Sequence, residues 1–350
     1  MAVITDLNND ILLQVFSYIK SETRTLRRLA RVCHKFLPFC REFLFREISI
    51  YTETEWQHGR TETTKLSLLL RSISSDNSLA PLIRHLDIYW YGDSRDLDLL
   101  VQDLLSRVTH LYTLSLVTTG VTRHRPNYLE ANPFPFLRKF TFTGRIDPED
   151  YALYMGLEQL ESIAILQGED CGHQPDRPPS SLRGTSPVSE ITICSDSLYE
   201  CNLMYALAIP RHLKILKCSF PYFEYSCENP LCSANAGLPD SLCSDPPESQ
   251  VIFPRLMHRL EKATPFLEEL RLEDPHCFIK KNALYSNFSM LGRLQFLQAP
   301  AHCLFSQEGT LACRDNFYKQ LPRSLRKLEV RYPNQHSGIC QHELALSLVP

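Results

Sequence analysis

Residues 93–118 read DSRDLDLLVQDLLSRVTHLYTLSLVT. Leu97, Leu100, Val101, Leu104, Leu105 and Val108 fall at steps of three and four, which gathers them on one face of a helix. Asp93 or Ser94 stands where a capping side chain satisfies the free amide groups of the first turn. After Val108 the period changes. Leu111, Leu114 and Leu116 make the pattern apolar-x-x-apolar-x-apolar, whose last two positions alternate as on a short strand and whose first turns the chain into it.

The same triplet recurs as Ile83-Leu86-Ile88, Leu111-Leu114-Leu116, Leu137-Phe140-Phe142, Leu160-Ile163-Ile165, Val188-Ile191-Ile193, Leu213-Leu216-Cys218, Leu267-Leu270-Leu272, Leu294-Leu297-Ala299 and Leu325-Leu328-Val330. Their spacings are 28, 26, 23, 28, 25, 54, 27 and 31 residues, so the 54 is either a missed unit or one heavily expanded unit. A period of about 20 to 29 residues around L-x-x-L-x-L is the leucine-rich-repeat signature. One such unit cannot bury its apolar side. Stacked neighbours can, with strands side by side in a curved parallel sheet and helices outside, a horseshoe. Leu66, Leu69, Leu70 and Ile73, the Asp147-Pro148-Glu149-Asp150 helix start, and Leu256, Leu260 and Ala263 predict further helices. A doubly wound α/β domain also alternates strands and helices, but it usually carries a glycine-rich phosphate turn. This chain has 12 glycines and neither G-x-G-x-x-G nor G-x-x-x-x-G-K. The expected fold class is therefore α/β, an irregular solenoid.

Composition narrows the function. With 350 residues, 43% hydrophobic and 22% charged, the chain reads as one large or two unequal globular domains. A formal charge of -3 gives no global attraction to nucleic acid. No apolar run approaches the roughly 18 to 20 residues of a membrane-spanning helix, and MAVITDLNND lacks the features of an export signal. Cytoplasm or nucleus is the expected compartment, and the 13 cysteines are expected to be reduced.

Two stretches, 168–187 and 224–250, are rich in Pro, Ser and Gly or Cys and are expected to be loops leaving one face of the sheet, where partners often bind. Cys227, Cys232 and Cys243 have four and ten intervening residues and only Cys218 as a nearby fourth ligand, a poor match to the paired thiolates that zinc prefers. Cys171-Gly172-His173 lacks an oxyanion motif, and no H-E-x-x-H or G-x-S-x-G occurs. No catalytic residues, metal or cofactor are expected.

The N-terminus carries a second signal. In DLNNDILLQVFSYI (residues 6–19), Ile11, Leu12, Val15, Phe16 and Ile19 form an apolar helical stripe that Asn8 or Asn9 caps. In SETRTLRRLARVCHKFL, Leu26, Leu29, Ala30, Cys33 and Leu37 make one face of a second helix, widened by Val32 and Phe36, with the arginines in water. REFLFREI supplies a third helix with Phe43, Leu44 and Ile48. Three helices of this size show more apolar surface than their own core accommodates, which marks a partner site.

The series Leu7, Asp10-Ile11-Leu12, Val15-Phe16, Ile19, Leu29-Ala30-Val32-Cys33, Phe36, Leu44-Phe45-Arg46 and Ile48 resembles an F-box over residues 4–50. Asn8 stands where the family usually has proline and Phe45 where tryptophan is common. LSLLLRSISSDNSLAPLIRHLDIYW, TPFLEELRLED and LPRSLRKLEV are similar to segments of fungal F-box proteins with divergent leucine-rich repeats. The resemblance implies an F-box over 1–50 and a repeat domain over 51–350, acting as the substrate-recognition subunit of an SCF-type cullin-RING ubiquitin ligase. It implies that Leu7, Ile11, Leu12, Ile19, Val32, Cys33, Leu44 and Phe45 face or support a Skp1-type adaptor and, through it, a cullin. A repeat scaffold whose helices merely cap the solenoid is the alternative. The alternating strand positions Asp87, Tyr89, Ser115, Thr141, Thr192, Lys217, Arg271 and Glu329 are the candidate target surface.

Overall fold

The computed structural model describes residues 7–51, 61–90, 95–118, 134–143, 148–166, 180–194, 200–219, 260, 264–273, 288–300, 304, 317–331 and 344–347. The chain divides into two compact units, Met1–Phe142 and Thr143–Pro350. Both are α/β, built on parallel strands.

The first unit begins with three helices, α1 (Asn9–Tyr18), α2 (Thr23–Val32) and α3 (Leu37–Arg46). Strands β1 (Glu47–Tyr51), β2 (His85–Trp90), β3 (Thr113–Thr118) and β4 (Lys139–Thr143) follow, with α4 (Thr61–Ser75) between the first two strands and α5 (Arg95–Arg107) between the next two. All three strand pairings are parallel. The second unit contains α6 (Pro148–Met155), β5 (Ser162–Leu166), β6 (Glu190–Cys194), α7 (Glu200–Ala208), β7 (Ile215–Ser219), β8 (Glu269–Glu273), β9 (Phe296–Pro300), β10 (Lys327–Arg331) and β11 (Leu344–Ser347). Its strands run parallel in sequence order until β11, which returns antiparallel along β10.

Every residue of the nine apolar triplets is buried, none more than 7% exposed. The two alternating positions of each strand enter the core because successive side chains of a strand point to opposite faces. The position before them enters it through a turn with its own bonding. The carbonyl of Arg84 accepts from the backbone N–H groups of both Tyr112 (2.7 Å) and Thr113 (3.1 Å), and that of Tyr112 from Arg138 (2.9 Å) and Lys139 (3.1 Å). In the second unit the carbonyls of Glu161, Ser189, Lys214, Glu268 and Gln295 each accept two successive N–H groups in the same way. Both lone pairs of one oxygen are used, so the chain is held laterally before each strand begins.

Arg84 N–H in turn donates to the carbonyl of Arg46 (3.0 Å), at the corresponding position ahead of β1. Phe45, Ile48 and Ile50 thus form a tenth triplet, with Ile50 6% exposed. This corrects the reading of Ile48 as part of the third helix: α3 ends at Arg46 and Ile48 lies on β1, paired with Leu86. Strands β7 and β8 pair directly, Leu216 opposite Leu270, so the 54-residue step is one expanded unit.

The helix expected around Leu66–Ile73 forms as α4, with Leu66, Leu70 and Ile73 buried; α5 buries Leu97, Val101, Leu104 and Leu105; and α6 starts at Pro148 as anticipated. α7 was not anticipated, and its Tyr205 ring lies 6.3 Å from that of Tyr151 on α6. Of the expected helix near 256–263 only Leu260 is among the described residues, fully buried. The capping residues Asp93 and Ser94, the segment 224–250 with Cys227, Cys232 and Cys243, and Cys171-Gly172-His173 lie outside the described residues.

Residues 180–187, expected to be loop, are tied into the fold. A 3-10 turn at Ser180–Leu182 leads to Gly184, at a φ of 63° that side chains disfavour. Gly184 N–H then donates to Ala208 carbonyl (3.2 Å), Thr185 and Ser186 N–H to Ile209 carbonyl (3.1 and 3.2 Å), and Arg211 N–H to Ser186 carbonyl (2.9 Å). Ser186 is buried, and its hydroxyl accepts from Val188 N–H at 3.1 Å.

Candidate docking site

Asn8 sets the start of α1. Its backbone is extended (φ -61°, ψ 150°), its side-chain oxygen accepts from Asp10 N–H at 3.2 Å, and its carbonyl accepts from Leu12 N–H at 3.0 Å. The residue that departs from the usual proline therefore acts as a cap. Lys35 Nζ donates to Leu7 carbonyl (2.9 Å), which holds the segment ahead of that cap.

The second helix is shorter than its sequence suggests. It stops at Val32; Cys33 is extended (φ -149°, ψ 134°); a 3-10 turn covers His34–Phe36; and α3 begins at Leu37. Pro38 explains the break. Proline lacks an N–H and its ring clashes with the carbonyl four residues back, so it fits the first turn of a new helix and not the interior of a continued one. Leu37 accordingly belongs to α3.

Leu12, Phe16, Leu26, Phe36 and Cys40 form the centre of the three-helix core, packed by Leu7, Ile19, Leu29, Ala30, Cys33, Phe39, Phe43 and Leu44. The Phe16 ring lies 5.5 Å from Phe36 and 5.6 Å from Phe39. Burial pushes the Cys40 thiol pKa up. Cys33, Cys40, Cys194 and Cys218 form no disulfide, and burial pushes the Cys218 thiol pKa up to about 12.

The α1 stripe is split by this packing. Leu12 (0% exposed) and Phe16 face the core, whereas Ile11 (47%), Val15 (40%) and Tyr18 (79%), at steps of four and three, face solvent. Of the eight residues assigned to the adaptor, Leu7, Leu12, Ile19, Cys33 and Leu44 are brought together in the core, Phe45 is half-buried, and Ile11 and Val32 are exposed. Val32 is 72% exposed at the end of α2. Leu12 is thus wholly inside the three-helix core and leaves no surface of its own. Tyr18 and Leu13 (44%) were missed, because helical periodicity does not say which edge of a broad apolar face turns outward. Arg24, Arg27, Arg28 and Arg31 are exposed, as their helical phase predicts.

The candidate target residues form register rows on the strand face opposite the triplets. In the first unit Ser49, Asp87, Ser115 and Thr141 are successive partners, and Tyr51 pairs with Tyr89. In the second, Thr192, Lys217, Arg271, Gln298 and Glu329 are successive partners. Ser115 is only 8% exposed, so it offers little to a partner. Ser49, Tyr51 and Gln298 were missed: the first two sit on the unrecognised tenth unit, and Gln298 occupies the outward position of a triplet already recognised. Gln298 is buried, its Nε2 donates to Glu273 Oε1 (3.0 Å), and its Oε1 has no hydrogen-bond partner among the described residues.

Among the described residues no three His, Cys, Asp or Glu side chains come close enough to hold a metal ion, and no helix is long and apolar enough to cross a membrane. No family model matches the chain, and no curated protein matches it in sequence.

Proposed function

We propose that the chain is the substrate-recognition subunit of an SCF-type cullin-RING ubiquitin ligase, with an N-terminal F-box that docks a Skp1-type adaptor and a leucine-rich-repeat solenoid that holds a target protein. The observation that carries this reading is the division of labour within three short helices. Leu12, Phe16, Leu26, Phe36 and Cys40 supply a core, and Ile11, Val15, Tyr18 and Val32 remain as apolar side chains in water. Exposed apolar side chains on so small a unit are what a docking partner covers. The order of residues across these helices, which resembles an F-box, supplies the identity of that partner.

In this role the chain makes and breaks no bonds. Its contribution is proximity: a target held near a ubiquitin thioester presents its lysine at a raised effective concentration. Its place of work is the cytoplasm or nucleus, where cullin ligases act.

The direct test is co-purification of the full chain with a Skp1-type adaptor. Val32→Asp and Ile11→Asp each put a carboxylate into an apolar contact and should weaken capture about tenfold to a hundredfold with the melting temperature unchanged. Full capture by both variants overturns the adaptor assignment. Leu12→Asp is unsuitable as a docking probe, because Leu12 is wholly buried and an unpaired charge there unfolds the helices.

One observation favours the scaffold alternative: α3 ends at Arg46, β1 begins at Glu47, and the two pack together. Helices joined without a linker also shield the open edge of a first repeat. The same co-purification separates the readings, since a scaffold captures no adaptor.

A further inference from the structure

We infer that the outward face of β1 and β2 receives a basic side chain, arginine in preference to lysine, from the protein held by the repeats. Two features meet there. Tyr51 and Tyr89 are register partners whose rings stack at 4.7 Å between centroids and 17° between planes, and Tyr51 is 52% exposed. Asp87 lies two residues before Tyr89 on the same face, a separation of about 7 Å along a strand.

The Asp87 carboxylate accepts one hydrogen bond, from Ser49 Oγ at 3.2 Å, and among the described residues no cation reaches it. Its row neighbours Ser115 and Thr141 are small and uncharged. His85, two residues before it on the same face, is engaged with Thr113, Nδ1 to Oγ1 at 2.8 Å. Among the described residues of the first unit, the remaining lone pairs of Asp87 therefore have no donor beside them.

A guanidinium suits both features at once. Its flat face stacks on a tyrosine ring within about 6 Å, and its fork of N–H groups reaches a neighbouring carboxylate. An ammonium meets the charge but not the stacking geometry, which is why arginine ranks above lysine. The second unit shows what a filled version looks like. There the Arg271 guanidinium lies 5.0 Å from the Phe296 ring centroid and its Nε is 2.6 Å from Glu269 Oε1. Among its described residues the first unit presents the ring and the carboxylate without the arginine.

The inference deepens the receptor reading and rests on it in calling the occupant a target. Fluorescence anisotropy with the full chain tests it, using labelled peptides of repeated Arg-Ser-Gly, Lys-Ser-Gly and citrulline-Ser-Gly. The arginine peptide should bind at least about fivefold tighter than the citrulline peptide, with lysine between them. Asp87→Asn keeps an oxygen for Ser49 and should erase the preference; Tyr51→Ala should reduce it. Glu329→Gln removes the same charge from the second unit and should leave it intact. Equal binding of the arginine and citrulline peptides overturns the inference, as does a preference that survives Asp87→Asn or falls equally with Glu329→Gln. Val32→Asp should leave the peptide preference unchanged, so loss of adaptor capture and loss of arginine preference are separate failures.

Discussion

The outward strand faces of the two units differ although their inward faces follow one rule. Leu86, Ile88, Leu114 and Leu116 in the first unit, and Leu216, Cys218, Leu270 and Leu272 in the second, are equally buried. Outward, the second unit satisfies its charges internally. Lys217 Nζ lies 2.6 Å from Glu190 Oε1, Arg331 Nη1 lies 3.1 Å from Glu273 Oε1, and Lys327 pairs with Glu329 while its Nζ sits 5.1 Å from the Phe296 ring centroid. The first unit carries stacked tyrosines, hydroxyls and the carboxylate of Asp87, with Glu47, His85 and Lys139 one step back along the same face. Repetition is thus enforced where side chains must stack on the next unit, and relaxed where they meet water or a partner.

Substitutions can break that comparison, and the largest effects belong inside. Leu86→Ala and Leu270→Ala should each cost about 2–5 kcal/mol, read as a loss of thermal or denaturant stability. A silent result in one unit would show that the two do not share a repeat core. Ile50→Ala extends the test to the strand the sequence concealed and should cost a similar amount, since Ile50 is buried at the second strand position of the tenth triplet.

Outward substitutions should be milder. Arg271→Ala removes a half-exposed ion pair and a ring contact, for a loss of about 1 kcal/mol that shrinks as salt is raised. Glu190→Gln should cost less than about 1 kcal/mol by the same measurement, and it should leave Lys217 able to attract an acidic peptide, the reverse of the preference expected at Asp87.

The smallest effect concerns Asp76. Hydrogen bonds from Ser78, side chain first and backbone second, together with Arg41 at 3.0 Å, hold its carboxyl below the usual carboxylate range. A group lowered in the folded state stabilises above its unfolded pKa of about 3.9 and loses that contribution as the pH falls through its folded value. Melting followed from pH 5 downward should decline slightly less steeply for Asp76→Asn than for the unaltered chain.

The repeat was legible because apolar-x-x-apolar-x-apolar is a local pattern, and each of its nine instances sits in the core. Legibility failed where two patterns overlap. Residues 43–50 satisfy a helix through Phe43 and Leu44 and a strand through Ile48 and Ile50, and pairing with β2, which starts at the hydrogen bond from Arg84 N–H to Arg46 carbonyl, marks where one gives way to the other. The same holds for α1. Its residues announce an amphipathic helix, but which apolar edge is inside depends on where Phe36 and Phe39 arrive from the far side of α2.

The sequence by itself determined the α/β class, the period, the inward residues of nine strands and the presence of three N-terminal helices. Those features are set by side-chain spacing of 2 and about 3.6 residues, which each segment carries alone. Only the tertiary structure decided that Ile11 and Val32 are outside while Leu12 is inside, that the 54-residue step is one unit, and that among the described residues no cation stands beside Asp87 as one does beside Glu190, Glu269 and Glu273. These depend on what another segment, often tens of residues away, brings alongside. Burial and charge pairing are properties of the assembled neighbourhood, not of any one stretch of chain.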